Sequence, residues 1–469
     1  MLTRIEVNGF KNLFDVAVDF GPYTCIAGPN ALGKSNLFDA IHFLSLIADY
    51  SFLEAAQRVR IAGARGADPR TMFWLDDHSS EPPRMTLAVE MIVPDSVTDD
   101  FGQESRPTST YLRYEVELEY VSPERGELFQ GGVIRLVRED LNYITKGKAA
   151  SRLRWGHSAS EFRQAVVRNE RKGKGFISTS EEGVFHVHQD GGSRGQPRRS
   201  AAAPRTVLST INTVEDPTIF AARREMQQWR NLALEPSAMR TSNEVTGSSV
   251  IGSDGSNLAA ALFRMADQGR NANVYADVAA TASALTDVRE VRVDLDYKRD
   301  LLTLEARIGE GPFLPSRALS DGTMRFLTLS IIEADPLFGG VICMEEPENG
   351  IHPAKVAAMV DLLRNLAVDA EESPGHDNPL RQVIVNTHSP RFVQFQEGED
   401  MLLAMPRTVL LSGRHVQTVS FSPIWDTWRA GRLKAGVSKA LIGEYLTAPD
   451  DAPMMLDFPG LEMSEETYA

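Results

Sequence analysis

The stretch YTCIAGPNALGKSNLFDAIHFLSLI, residues 23–47, restricts the fold more than any other part of this chain. It opens with YTCIA, an apolar run of strand length. It closes with Leu37, Ile41, Phe43, Leu44 and Ile47 at helical spacing. Between them GPNALGKS, Gly28 to Ser35, fits G-x-x-x-x-G-K-[ST] in the strand-then-helix context that this pattern requires. Around Pro29 and Asn30, the glycines Gly28 and Gly33 carry no Cβ, so backbone N–H groups can close on phosphate oxygens. Lys34 is placed to reach the β and γ phosphates and Ser35 to bind Mg²⁺, with Asn36 beside them. The helix N-terminus adds a favourable field. The expected ligand is a nucleoside triphosphate, ATP, with Mg²⁺.

A second apolar run, GVICM, ends in Glu345 and Glu346. Adjacent carboxylates at the end of a buried strand repel each other and resist desolvation. A magnesium-bound triphosphate would supply the missing positive charge. Glu345 then falls in the coordination or water shell of the metal, and Glu346 orients and activates the attacking water. Upstream, LSDGT starts an apparent helix, where Ser320 and Gly322 could present a hydroxyl and an N–H to an anion. Alone, that pattern is more often a helix cap. His388 follows the apolar VIV as a polar tip; taken alone it is more often a loop histidine.

Strands alternating with helices indicate α/β architecture with a largely parallel sheet. The opening residues and the runs RMTLAVEMIV and YLRYEVELEYV alternate as antiparallel strands do. Cys25 and Cys343 sit in apolar runs and read as core residues of a protein in the reducing cytoplasm. The opening residues lack the apolar core of a signal peptide, and no apolar run reaches the ~18 residues of a membrane span. The net charge of −15 argues against a uniformly basic nucleic-acid binder. Residues 146–205 nevertheless hold thirteen Lys and Arg against five acids, +8 locally. That segment is open to two readings. It is either a DNA or RNA contact with Trp155 and Phe176 for stacking, or a solvated insertion, and QDGGSRGQPRRSAAAP within it reads as a loop. From Glu444 on there are seven acids and no Lys or Arg. Such a tail suits a solubilising end or a dock for a basic partner.

In order, GPNALGKSN, LSDGT, VICMEEPENGIHP and VNTHSP resemble the ABC-type ATPases of the class containing RecF, SMC and OLD-family proteins, most closely the OLD-like AAA ATPases. The match covers roughly residues 1–60 and 310–395. The resemblance implies an ABC-type ATPase head with an N-terminal antiparallel β subdomain and an α/β insertion. Residues 1–95 form the lobe with the phosphate loop and 96–310 the insertion; 311–440 form the second ATPase lobe and 441–469 the acidic tail. It implies that Ser320, Asp321, Gly322 and Thr323 form a signature loop acting on the nucleotide of an opposing subunit, and that His388 is the switch histidine. His352 is taken as structural. Glu345 stands where relatives carry aspartate, which favours a water-mediated metal contact, and no glutamine of the expected kind is assigned, Gln57 being merely available. A long coiled coil is lacking, as is a D-x-D cluster after the histidine motif. The function expected is an ATP-driven switch that dimerises around ATP and controls a separate nuclease or toxin in anti-phage defence or DNA repair. The alternative is a scaffold in which ATP only stabilises assembly.

Overall fold

The strands Tyr23–Ala27, Gly340–Glu345 and Arg381–Thr387 lie side by side and parallel. A computed structural model describes residues 1–59, 68–75, 82–122, 132–190, 196–199, 203–267, 273–411, 413–433, 436–439 and 442. In it these strands form the centre of a six-stranded sheet. The order is Arg230–Asn231, Gly340–Glu345, Arg381–Thr387, Tyr23–Ala27, Met401–Leu411 and Arg414–Pro423, with only the last strand antiparallel. A strand covered on both faces needs apolar residues at successive positions, which explains YTCIA, VICM and the VIV at the middle of Arg381–Thr387. Ile26, Val341, Cys343 and Ile384 face the helix Lys34–Ile47 and the second sheet. Cys25, Ile342, Met344, Val383 and Val385 face the helices Leu258–Asp267, Val274–Ser283, Asp321–Ala334 and Val356–Asn365. The two cysteines are buried and free, on opposite faces of the sheet with a strand between them.

The second sheet is antiparallel, in the order Gln196–Arg199, Val184–Val187, Ile177–Thr179, Val133–Tyr143, Tyr111–Val121, Arg84–Ile92, Leu2–Asn8 and Val16–Asp19. Period-two alternation sends Ile5, Val7, Tyr114, Val116 and Leu118 inward onto the helix Lys34–Ile47. It sends Arg4, Glu6, Arg113 and Glu115 outward into linked ion pairs. A smaller sheet is built on the hairpin Val288–Asp296 and Leu301–Ile308. No helix among the described residues is long and apolar enough to cross a membrane.

Two expectations for the segment 146–205 need correction. Trp155 and Phe176 are interior and unavailable for stacking on bases. Trp155 packs with Met1, Tyr111 and Phe162, and Phe176 lies in the core between the sheets. Gln196–Arg199, expected in a loop, adds the outermost strand. Much of the basic charge is also engaged internally. Arg152 pairs with the buried Glu90, Arg168 donates to the carbonyls of Asp95 and Pro107, and Arg171 to those of Lys174, Gly175, Gln189 and Asp190. The acidic tail lies outside the described residues, apart from Ile442.

Candidate functional site

Parallel strands deliver their C-terminal ends to one edge, and ligands of open α/β sheets bind there. At this edge the strand Tyr23–Ala27 runs into the phosphate loop, Gly340–Glu345 into Glu346, and Arg381–Thr387 into His388. Gly33, at φ 103°, sits in the left-handed region directly before the helix. A Cβ there would fall 2.7 Å from the side-chain amide of Asn12, so any other residue type is strained by its backbone conformation and needs Asn12 to shift. Asn12 itself accepts from Asn36 Nδ2 at 2.7 Å and donates to the Leu32 carbonyl at 3.3 Å. The turn after the first strand therefore props the loop from below. Pro29, Ser35 and Asn36 are half-buried and Asn30 is exposed.

The Lys34 side chain is buried, and its ammonium donates to the Gly28 and Pro29 carbonyls, each at 2.6 Å. Burial lowers its pKa, and the nearby Glu346 and Glu345 act the other way. The acidic pair thus shares an electrostatic environment with the loop lysine. Ser35 and Glu345 offer the hard oxygen donors that suit Mg²⁺, and no group of three or more His, Cys, Asp or Glu among the described residues forms a metal cage. That donor set fits a magnesium ion held partly by phosphates and water.

Glu345 is exposed where the buried strand ends, whereas Glu346 turns back at φ 47°, a left-handed conformation that costs a non-glycine residue about 1 kcal/mol or more. Four contacts hold it there. Its N–H donates to the Asn386 carbonyl at 2.9 Å and its carbonyl accepts from the Asn349 N–H at 3.0 Å. Asn349 Nδ2 donates to Oε2 at 2.6 Å, and His388 Nδ1 meets Oε1 at 2.7 Å. The two residues singled out as base and switch are thereby brought into contact within one chain. Asn349 was not singled out, although it lies in the quoted motif.

Ser320 caps the helix Asp321–Ala334, accepting from the Thr323 N–H at 3.2 Å and meeting the Thr323 hydroxyl at 2.9 Å. Ser320 and Asp321 are exposed. Arg240 grips this loop, donating to the Leu319 carbonyl at 2.8 Å and to Asp321 at 2.5 Å. A Cβ on Gly322 would lie 3.9 Å from the Gly350 carbonyl, beside the turn after the acidic pair. Among the described residues no hydrogen bond or ion pair joins Ser320–Thr323 to Gly28–Ser35 of the same chain. His352 accepts from the Ala354 N–H at 3.2 Å and caps a short turn. Gln57 is exposed on the helix Phe52–Arg58.

This motif set resembles that of ABC-type ATPases of the RecF and SMC class, and comparisons with known proteins point the same way. A family profile described as "AAA domain, putative AbiEii toxin, Type IV TA system" matches residues 216–394, a span that holds Ser320–Thr323, Glu345, Glu346 and His388 but not Gly28–Ser35. The chain is 38% identical over 63 residues to the DNA replication and repair protein RecF of Lactococcus lactis subsp. cremoris (strain MG1363), covering 13% of this chain and 18% of that protein. It is 34% identical over 64 residues to the protein of the same name from Phocaeicola vulgatus, covering 13% and 17%. The chain thus spans less than a fifth of the curated relatives it matches. A crystal structure of the SmcHead bound to the C-winged helix domain of ScpA overlays with a TM-score of 0.44 at 14% identity, over 90% of this chain and 98% of that one.

Proposed function

We infer that the chain is an ATP-hydrolysing molecular switch in which two copies enclose two nucleotides. Each site combines the phosphate loop, acidic pair and His388 of one copy with Ser320–Thr323 of the other. The observation that carries the reading is the Glu346 carboxylate, set between His388 and Asn349 on strained backbone at the ligand-binding edge of the sheet. There Glu346 orients the attacking water and accepts its proton, while His388 and Asn349 keep the carboxylate aimed. The loop Gly28–Ser35 binds the phosphates through the backbone N–H groups of residues 30–35 and the Lys34 ammonium. Magnesium, for which Ser35 and Glu345 are the ligands at hand, supplies positive charge to those phosphates. The exposure of Ser320 and Asp321 supports a role toward a second copy rather than toward their own loop.

Single-turnover hydrolysis by Glu346→Gln tests this. The rate is expected to fall about a hundredfold or more, with ATP still bound and ATP-dependent dimers accumulating in light scattering. An unchanged rate removes Glu346 as the base and leaves the scaffold alternative.

The wider role we propose is that of an ATPase subunit in bacterial anti-phage defence or DNA repair, governing a separate nuclease or toxin. The profile's description and the name of the RecF relatives support this direction. Effector activity that is the same with wild type and Glu346→Gln rejects it. Nucleic-acid contact through residues 146–205 is now confined to exposed cations such as Lys146, Lys148, Arg154, Lys172 and Lys174. A flat salt response in a binding titration rejects that contact.

A further inference from the structure

The turn after the acidic pair holds a third carboxylate, Glu348, for which hydrolysis as described has no task. Its Oε1 accepts from the Thr387 hydroxyl, and its Oε2 is buried with no hydrogen-bond partner among the described residues. Thr387 is fully buried at the end of the strand leading to His388, and three segments of the site meet on it. Its carbonyl accepts the N–H of Gly28, the first residue of the phosphate loop, at 3.2 Å. Its hydroxyl accepts the Ser389 N–H at 2.9 Å and donates to Glu348. One hydroxyl can fill both roles, since it has a single proton and free lone pairs. Glu348 is thus the side chain through which the acidic turn is fastened to the point where the histidine turn and the phosphate loop already join.

We propose that Glu348 is a positioning residue for ATP hydrolysis: through Thr387 it locks the acidic turn onto the histidine turn and holds Glu346 in the backbone geometry that aims its carboxylate at His388. Backbone strain of the kind seen at Glu346 persists only where the surroundings over-determine it. The Glu348–Thr387 bond, together with Asn349 on the same turn, provides that restraint. The inference rests on the hydrolytic reading and adds a residue to it.

Burial pushes the Glu348 carboxyl upward in pKa; Glu346 adds to this, while the Thr387 bond and His388 oppose it. The titratable groups facing it are Glu346 on its own turn, His388 on the histidine turn and Cys25 on the phosphate-loop strand. A neutral Glu348 leaves His388 to Glu346. An ionised one repels Glu346 and competes for the histidine, so hydrolysis falls as pH rises through the elevated value.

The test is steady-state ATP hydrolysis by the full chain with Mg²⁺, read as kcat, KM and pH profile. The proteins are wild type, Glu346→Gln, Glu348→Gln, Glu348→Leu, Thr387→Val and the last two combined. Glu348→Gln, whose carbonyl still accepts from Thr387, is expected to keep kcat within about threefold and to lose the fall with rising pH. Glu348→Leu and Thr387→Val should each lower kcat about ten- to a hundredfold at unchanged KM, the effect of a small misplacement of reacting groups. The double variant should be no worse than the poorer single one, because both remove the same bond. The proposal is overturned if Glu348→Leu keeps kcat within about twofold, if Gln is as impaired as Leu, or if the single losses multiply. Should Glu348→Leu not fold, Thr387→Val and Glu348→Gln decide by the same criteria. A wild-type rate equal to that of Glu346→Gln brings down the hydrolytic reading and this proposal with it. A Glu346-dependent rate that ignores Glu348→Leu sinks the proposal alone.

Discussion

The outer face of the antiparallel sheet and the ligand-binding edge of the parallel sheet both concentrate charge, and they treat it in opposite ways. On the outer face each carboxylate meets a guanidinium: Arg4 pairs with Asp19 at 2.8 Å, Arg113 with Glu6 at 2.6 Å and Arg138 with Asp140 at 2.5 Å. At the edge Glu345 is exposed, Glu346 meets a histidine and an amide, and Lys34 rests on backbone carbonyls. Charges that neutralise one another on the surface contribute a few tenths of a kcal/mol each and bind nothing further. Charges of both signs held a short way apart on rigid elements are arranged for a ligand that carries both, such as a triphosphate with its magnesium. The difference separates a structural ion ladder from a site, where residue composition alone would not.

Removing one cation from each region gives the largest contrast. Lys34→Ala is expected to weaken ATP binding about a hundredfold or more in a fluorescence titration, because charge-assisted bonds to the phosphates are lost. Arg4→Ala should bind ATP as wild type does. Normal ATP uptake by Lys34→Ala would erase the distinction and the functional conclusion with it. Gly33→Ala comes next. The left-handed backbone and the contact with Asn12 together should cost about 1–3 kcal/mol, visible as a lower melting temperature and a weaker ATP complex. Adding Asn12→Ala should relieve the contact but not the backbone cost, so recovery is expected to be partial.

Arg240 tests whether the signature loop acts across subunits. Arg240→Ala removes two bonds to that loop and none to the phosphate loop. About a tenfold loss of ATP-dependent dimerisation in light scattering is expected, with nucleotide binding by the monomer unchanged. Exchanging the pair as Arg240→Asp with Asp321→Arg should restore part of it. Equal damage to monomer binding would place the loop on its own chain's nucleotide instead.

These contacts also mark what the sequence could and could not reveal. The phosphate loop, the acidic strand and the histidine strand are each contiguous, and their chemistry is local: glycines where backbone must approach a ligand, apolar runs where a strand is covered on both faces. Asn12, Arg240 and Thr387 act through partners distant in the chain, and local pattern carries no trace of that. Glu348 and Asn349 were in view within EEPENGIHP, but only the folded turn reveals which atoms they meet. Trp155 and Phe176 were misread for a related reason. Flanking lysines and arginines suggested a solvated surface, yet Trp155 is covered by Met1 and Tyr111 and Phe176 by the core between the sheets, all from other parts of the chain. The arginines nearby are largely occupied by carbonyls and by Glu90.

The smallest effect sharpens the comparison within the antiparallel sheet itself, where two glutamates on opposite faces should respond to pH with opposite sign. Glu6, outside, is pushed up by burial, but hydrogen bonds from Arg113 and Arg4 outweigh this and bring its pKa from 4.5 down to about 2. Its contribution is present above 4.5 and is lost as pH falls toward about 2. Half-exposed and screened, it should amount to no more than about 1 kcal/mol. Glu139, inside, accepts the N–H groups of Val207 at 2.6 Å and Leu208 at 2.9 Å, yet burial dominates and raises it from 4.5 to about 7. Its folded state favours the neutral acid, so stability is greatest below 4.5 and declines as pH rises toward about 7, by roughly 1–3 kcal/mol. Urea unfolding across that range should give Glu139→Gln a flatter profile than wild type on the neutral side and Glu6→Gln a flatter one on the acid side. Parallel slopes in the two variants would mean that the faces of this sheet do not differ as the ion ladder and the dry core require.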